Sequence, residues 1–307
     1  MNHVLSLLPH HIQESLSLQD QPKDELEEIR LRVDKPVEFI YRSTSLLVPS
    51  LFFDKKDAHT FLQRLTEFSM YAHENDIKQG YITFSGGHRV GLCGTAVIEN
   101  DTVQVLRDIS SFNIRIAHER VGAANPIAAL LFDRLWQSTL VLGAPKAGKT
   151  TMIRDIARLM SEGLYEKWPS ITVGIVDERS EIAASASGVP QHTFGPKVDV
   201  LDSCPKALGM MMMIRSMSPD MLVVDEIGRE EDARAILEAL HSGVKVVASA
   251  HAANYEDFIR RPGMKELMDY RPFERIVELG SSPTGSILAV KNSAGEALAL
   301  KALIQSK

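Results

Sequence analysis

The sequence predicts an α/β protein: a domain built on a parallel sheet, preceded by a small α+β domain. Three observations carry that expectation. From residue 138 onward, apolar segments alternate with segments of helical spacing, and the middle apolar segments are near-continuous runs of Val, Ile and Leu, as parallel strands buried on both faces require. A glycine-rich loop, Gly143-Ala-Pro-Lys-Ala-Gly-Lys-Thr150, stands between one such strand and a helix. Ahead of residue 120 the pattern changes to strands of period two interrupted by a single long helical segment.

Taken in order, Val4, Leu5, Leu8, Ile12 and Leu16 recur at helical spacing. They predict a short amphipathic helix, which without Lys or Arg is expected to cap the N-terminal domain rather than lie on lipid. In Ile29-Arg-Leu-Arg-Val33, three apolar residues share one strand face and two arginines the other, read as solvated. Asp34-Lys-Pro36 is a turn and 37–41 a second strand. A helix is expected over 56–72, with Phe61, Leu62, Leu65 and Phe68 inward, followed by strands at 81–84, 90–98 and 111–117, with a turn over 99–101. Residues 1–120 thus form the α+β domain. Residues 121–137 read as a linker and a helix, opened by Asn125 as cap and Pro126 in the first turn.

Residues 138–307 form the second domain, with strands at 139–142, 171–176, 221–225, 244–249, 274–279 and 286–290 and helices at 149–161, 203–216, 230–241 and 255–269. Four consecutive methionines, 210–213, are expected in a helix core. In such a sheet, ligands sit at the C-terminal ends of the strands.

Composition narrows the class. The 307 residues are 44% hydrophobic and 24% charged, as in soluble globular proteins, with a net charge of −6 that speaks against a global grip on nucleic acid. Two cysteines without metal-ligand spacing suit a reduced cytosolic compartment. No apolar run approaches the ~18 residues of a membrane span, and the first residues lack the basic start of a signal peptide.

The chemistry concentrates at strand ends. The pattern G-x-x-x-x-G-K-[ST] cradles phosphate oxygens with loop amides at a helix N-terminus; its lysine, Lys149, neutralises the β and γ phosphates, and the Thr150 hydroxyl suits Mg²⁺. Gly143 and Gly148 allow the close backbone approach. The strand ending in Asp225-Glu226 places one carboxylate for the metal shell and one to polarise a water. A second strand ends in Asp177-Glu-Arg-Ser-Glu181, so Glu178 or Glu181 can serve as general base in place of Glu226. A third ends at His251, placed to sense the γ phosphate. Arg179, Arg215, Arg229 and Arg234 lie near these elements, as phosphoryl transfer requires of some arginine.

These motifs, together with Glu28-Ile-Arg-Leu-Arg, Gly91-Leu-Cys-Gly-Thr-Ala, Asp202-Ser-Cys-Pro-Lys-Ala, Ile214-Arg-Ser-Met-Ser-Pro and Val224-Asp-Glu-Ile-Gly-Arg, closely resemble the stage III sporulation protein AA family over nearly the whole chain. That family is similar to the secretion ATPases of type II, type IV and pilus systems. The resemblance implies a RecA-like P-loop NTPase core that binds ATP with Mg²⁺. It implies a hexameric homo-oligomer completed by a neighbour's arginine, open between Arg179, Arg215, Arg229 and Arg234 beside the site elements and Arg89, Arg107 and Arg115 of the N-terminal domain. It also implies a membrane-protein partner in a channel between mother cell and forespore, and no nucleic acid. Carried over, Gly143, Ala144, Pro145, Lys146, Ala147, Gly148, Lys149, Thr150 and Thr151 form the phosphate loop, Asp225 and Glu226 the magnesium strand, 177–181 the acidic box and His251 the histidine box. Lys146 and Ala252 depart from the usual pattern without removing a reactive group. The rival expectations are a nucleic-acid-stimulated motor on the same core, and a scaffold that binds ATP to set its shape.

Overall fold

The computed structural model describes residues 2–67, 69, 73–84, 86–99, 102–117, 119–164, 167–186, 188–261 and 263–298. The chain divides into two units, Met1–Glu119 with Ala184–His192, and Arg120–Ala183 with Thr193–Lys307. The insertion of 184–192 into the first unit has no signature in the sequence.

The first unit opens with two helices rather than one, α1 (Asn2–Leu7) and α2 (His10–Ser17), because Pro9 has no N–H to continue the ladder. Val4, Leu8, Ile12 and Leu16 are nonetheless all buried, as their spacing requires. Then follow β1 (Leu26–Arg32), β2 (Lys35–Tyr41), β3 (Ser45–Phe53), α3 (Lys55–Leu65), α4 (Glu74–Lys78), β4 (Tyr81–Phe84), β5 (His88–Glu99) and β6 (Thr102–Arg115). The strands form one antiparallel six-stranded sheet in the order β3-β2-β1-β6-β5-β4. One face is polar: Arg30 and Arg32 pair with Glu28 and Glu38 at 3.0 Å. The other carries the core, where Phe53 and Phe61 meet Phe112 edge to face.

The helix expected over 56–72 ends at Leu65; Phe68 and 70–72 lie outside the described residues, as do 100 and 101 of the turn over 99–101. Its start is fixed by a capping box between Asp54 and Asp57. β3 escapes the sequence reading because it is an edge strand carrying Pro49 and exposing Leu47 and Phe52.

In the second unit the helix expected to run from Asn125 to about 136 is not formed. Asn125–Leu130 is a short 3₁₀ helix, followed by a tight hairpin of β7 (Phe132–Asp133) and β8 (Leu135–Trp136) around Arg134 at φ 60°. Asn125 does not cap it. The buried Asp155 carboxylate accepts from the N–H groups of Gly122 (3.0 Å) and Ala124 (2.8 Å), and Trp136 packs on Phe132 and Trp168.

The remaining elements are β9 (Thr139–Gly143), α5 (Lys149–Glu162), β10 (Val173–Asp177), β11 (Val198–Asp202), α6 (Lys206–Met217), β12 (Met221–Val224), α7 (Glu230–His241), β13 (Lys245–His251), α8 (Tyr255–Phe258), α9 (Met264–Asp269), β14 (Arg275–Ser281) and β15 (Thr284–Asn292). Their sheet runs β11-β10-β12-β13-β9-β14-β15, parallel except for β15. Successive side chains enter two cores. Leu140, Leu142, Leu222 and Val224 pack under α6 to α9, while Val141, Val223 and Val277 pack under α5. Both faces are covered, which is why the strands lack polar alternation. The helix expected over 255–269 is two helices, the second entered through Gly263 at φ 80°. Of the four methionines, Met210 and Met213 are core and Met212 is exposed. Among the described residues no helix is long and apolar enough to cross a membrane.

Candidate functional site

Parallel pairing aligns the C-terminal ends of β10, β12, β13 and β9. Val176 lies beside Val224, Val224 beside Ala248, and His251 directly opposite Gly143. The residues that follow these strands therefore converge.

The phosphate loop leaves β9 at Gly143 and enters α5 through Gly148, at φ 87°. A side chain there would be strained, and its Cβ would lie 3.3 Å from the Gly285 backbone. The N–H of Gly285 donates to the Ala147 carbonyl at 3.1 Å, so the hairpin of β14 and β15 braces the loop. Ala144, Pro145 and Lys146 are exposed, Ala147 is buried, and Thr150 and Thr151 are half-buried in the first turn of α5. The N-terminal end of α5 presents free amides and a positive dipole end, the arrangement that binds phosphate.

Lys149 folds back over this loop. Its Nζ donates to the Ala144 carbonyl (3.0 Å) and contacts His251 Nδ1 (2.8 Å). On its other side, His251 Nε2 meets the Glu226 carboxylate. An ammonium has no acceptor and a carboxylate no donor, so this chain assigns the imidazole proton to Nε2. Burial pushes the Lys149 ammonium down from its ordinary pKa, and Glu226 opposes that shift. Arg179 lies 3.8 Å from the outer oxygen of Glu226.

Asp225 is almost fully buried, and its Oδ1 has no hydrogen-bond partner among the described residues. Burial raises its pKa from 3.8 to about 6; Lys206 opposes the rise, and Asp177, Glu181 and Glu178 add to it. Lys206 Nζ lies 3.6 Å from that oxygen and 2.5 Å from Glu178. An unsatisfied buried carboxylate oxygen is costly unless something else binds it. A hard oxygen donor close to a phosphate-binding loop with a Thr150 hydroxyl is the donor set Mg²⁺ takes, with phosphate and water completing the shell. No cluster of three or more His, Cys, Asp or Glu that could hold a metal occurs among the described residues.

The acidic segment after β10 divides by role. Asp177 is fully buried and accepts N–H bonds from Glu181, Ile182 and Ala183 at 2.8–2.9 Å. It folds the segment rather than facing the cleft. Arg154 of α5 binds the carbonyls of Glu181 and Ile182, both at 2.6 Å. Glu178 points at Lys206, and Glu181 is exposed. A cleft of about 200 Å³ is bounded by Glu178, Arg179, Lys206, Glu226, Arg229 and His251. It thus joins Glu226, Glu178, Arg229 and His251 of the sequence-predicted residues, with Lys149 reaching it through His251. Arg229 is exposed; its backbone and that of Gly228 donate to Asp232 at 3.0 Å. Arg215 and Arg234 are exposed and do not border the cleft.

Sequence reading missed Lys206 and Arg261, which also border the cleft, and Arg154. Lys206 did carry a signal: it is a lysine at the first position of a helix without acidic residues in its first turn, where a cation opposes the dipole. A separate, mostly apolar hollow of about 430 Å³ lies at the N-terminal ends of the strands, around Trp136, Ile171 and Met221, away from this chemistry.

A parallel sheet in this order, covered on both faces, with a glycine-rich loop leading from a central strand into a helix, defines a RecA-like P-loop fold. Solved structures share the fold. The chain matches the Legionella pneumophila ATPase DotB with a TM-score of 0.60 at 14% identity, covering 88% of this chain and 76% of that one. It matches the pilus retraction motor PilT with bound ADP with a TM-score of 0.60 at 15% identity, covering 87% and 76%. Residues 1–298 match the family described as "Sporulation stage III, protein AA". The chain is 47% identical over 300 residues to "Stage III sporulation protein AA" of Bacillus subtilis (strain 168), covering 97% of each. It belongs to that family.

Proposed function

We propose that this chain is a Mg²⁺-dependent ATPase that powers or assembles a sporulation channel between mother cell and forespore. The observation that carries the proposal is that a braced phosphate loop with Lys149 and a buried, unpartnered Asp225 oxygen both lie at the C-terminal end of one parallel sheet. In this reading residues 138–307 are the ATPase core, 121–137 the connection and 1–120 an N-terminal domain.

Lys149 and the amides of 143–151 would hold the phosphates. Thr150 and Asp225 are the residues that would hold Mg²⁺, which when bound neutralises phosphate charge. Glu226 is the best-supported water-orienting group, because His251 and Arg179 hold its carboxylate while Glu178 is engaged by Lys206 and Glu181 faces solvent. With Glu226 ionised, His251 would keep its proton on Nε2 and link that carboxylate to Lys149. An arginine of a neighbouring copy in a hexamer, Arg229 by this reading, would stabilise the developing charge. A membrane-protein partner would recruit the chain to its channel, with no nucleic acid involved. The names of the relatives, a sporulation protein, an ATPase and a pilus retraction motor with bound ADP, point the same way.

The test is ATP hydrolysis per chain across protein concentration, with Lys149→Ala as control. A rate that climbs with concentration and vanishes in the variant is expected. A wild-type rate no higher than that of the variant at every concentration would refute hydrolysis by this chain alone.

A further inference from the structure

The cation nearest the orphaned oxygen of Asp225 belongs to the protein itself. Lys206 is the first residue of α6, whose N-terminal dipole disfavours a positive charge. Its side chain is mostly buried, at 12% exposure, as is that of Asp225, at 5%. Nothing about helix stability or solubility calls for a lysine here. What surrounds it is acid: Glu178 at 2.5 Å and Asp225 at 3.6 Å, with Asp232 close behind, itself held by the backbone at the start of α7. The two contacts are unequal. Glu178 takes a close, hydrogen-bonded ion pair, while the ammonium stops short of a hydrogen bond to Asp225 and leaves Oδ1 open.

That inequality has a consequence for any metal. The ammonium is tethered beside the metal-side carboxylate without covering it. It supplies counter-charge to a buried carboxylate and yet can be pushed back onto Glu178 when a second cation arrives.

We propose that Lys206 is a positioning residue that acts as a resident cation for Asp225, leaving the Oδ1 of that carboxylate unengaged in the nucleotide-free protein and setting how much Mg²⁺ is needed to load the site. The inference rests on the Mg²⁺-nucleotide reading given above. It concerns a residue outside the phosphate loop, the magnesium strand and the acidic and histidine boxes. A fixed positive charge within 4 Å of a metal ligand opposes the metal, so its removal tightens metal binding. The opposition is partial, because Glu178 draws the ammonium away.

The experiment is equilibrium binding of a fluorescent, non-hydrolysable ATP analogue to the full chain while Mg²⁺ is titrated at fixed pH and ionic strength. Wild type is compared with Lys206→Met, Lys206→Gln and Lys206→Arg. The two neutral variants are expected to lower the Mg²⁺ midpoint on the order of tenfold, whereas Lys206→Arg, which keeps the charge, holds the wild-type midpoint. Two neutral side chains of different polarity guard against one of them failing to fold, and a thermal melt checks each. A neutral variant that folds and shows an unchanged or raised midpoint overturns the proposal. So does an Arg variant that behaves like the neutral ones, since that would make the effect one of shape. If wild type binds the analogue without regard to Mg²⁺, the reading beneath the proposal falls, and the proposal with it.

Discussion

Asp225 offers a test of the site that needs no ligand. In the metal-free protein its carboxyl titrates near 6 instead of 3.8, chiefly because it is buried. A folded-state pKa above the unfolded one means that the native chain binds more protons between those values, so stability falls as pH rises from about 4 through 6. The gap corresponds to about 3 kcal/mol of stability lost above pH 6. Asparagine has the shape of the protonated acid without the charge. Asp225→Asn is therefore expected to stabilise the metal-free protein at pH 7.5 by up to ~3 kcal/mol, or roughly 6–12 °C in melting temperature for a unit of this size. At pH 5, where part of the cost has not yet appeared, the gain should be about half as large. The assay is thermal melting in chelator at both pH values. The difference between the two pH values carries the argument, because it cancels whatever asparagine does to packing. A gain that is equal at both, larger at pH 5, or absent would refute the reasoning. Adding Mg²⁺ and nucleotide should invert the order, stabilising wild type and leaving the variant unmoved.

Asp177→Ala leaves three backbone N–H groups of 181–183 without their buried acceptor and should destabilise the second unit by about 2–4 kcal/mol, read by thermal or urea unfolding. Asp177→Asn, which keeps one acceptor oxygen, should lose less. Gly148→Ala forces a side chain into a left-handed conformation against the Gly285 backbone and should weaken nucleotide binding at least tenfold in the same fluorescence assay, at a stability cost of about 1–2 kcal/mol. Glu226→Gln should reduce ATP hydrolysis about a hundredfold or more while nucleotide still binds, whereas Glu178→Gln should chiefly move the Mg²⁺ midpoint; the reverse pattern would reassign the general base.

What the sequence made legible follows from where its signals are local. The strands of the second unit announce themselves because burial on both faces leaves little besides Val, Ile and Leu in segments such as 221–224, and the phosphate loop because its spacing of glycines and Lys149 is a local pattern, with Gly148 required by its left-handed backbone. The end of β12 was equally clear, since Asp225 and Glu226 break an apolar run. Several of the differences depend on a partner that the local sequence does not reveal. The segment leading into Asn125 is held by Asp155, and the acidic segment after β10 turns inward because Asp177 finds amides and Arg154 finds carbonyls. Lys206 stands out only as a lysine opening a helix, and the acids it faces emerge once α6 is set beside β10 and β12. β11 and β3 were missed as edge strands, whose composition is freer because one side has no neighbour.

The brace between Gly285 and Ala147 also orders events during synthesis. β9, which carries the phosphate loop, pairs only with β13 and β14, and the loop receives its support from the hairpin that β14 opens. A ribosome will have made the loop well before it has made either neighbour. The first unit, by contrast, completes its sheet by residue 115 and can condense early. The proposed nucleotide site is thus among the later parts of the molecule to take shape. A nascent chain that has emerged only as far as α7 would carry every residue of the loop and still lack the strands that hold it in a phosphate-binding form.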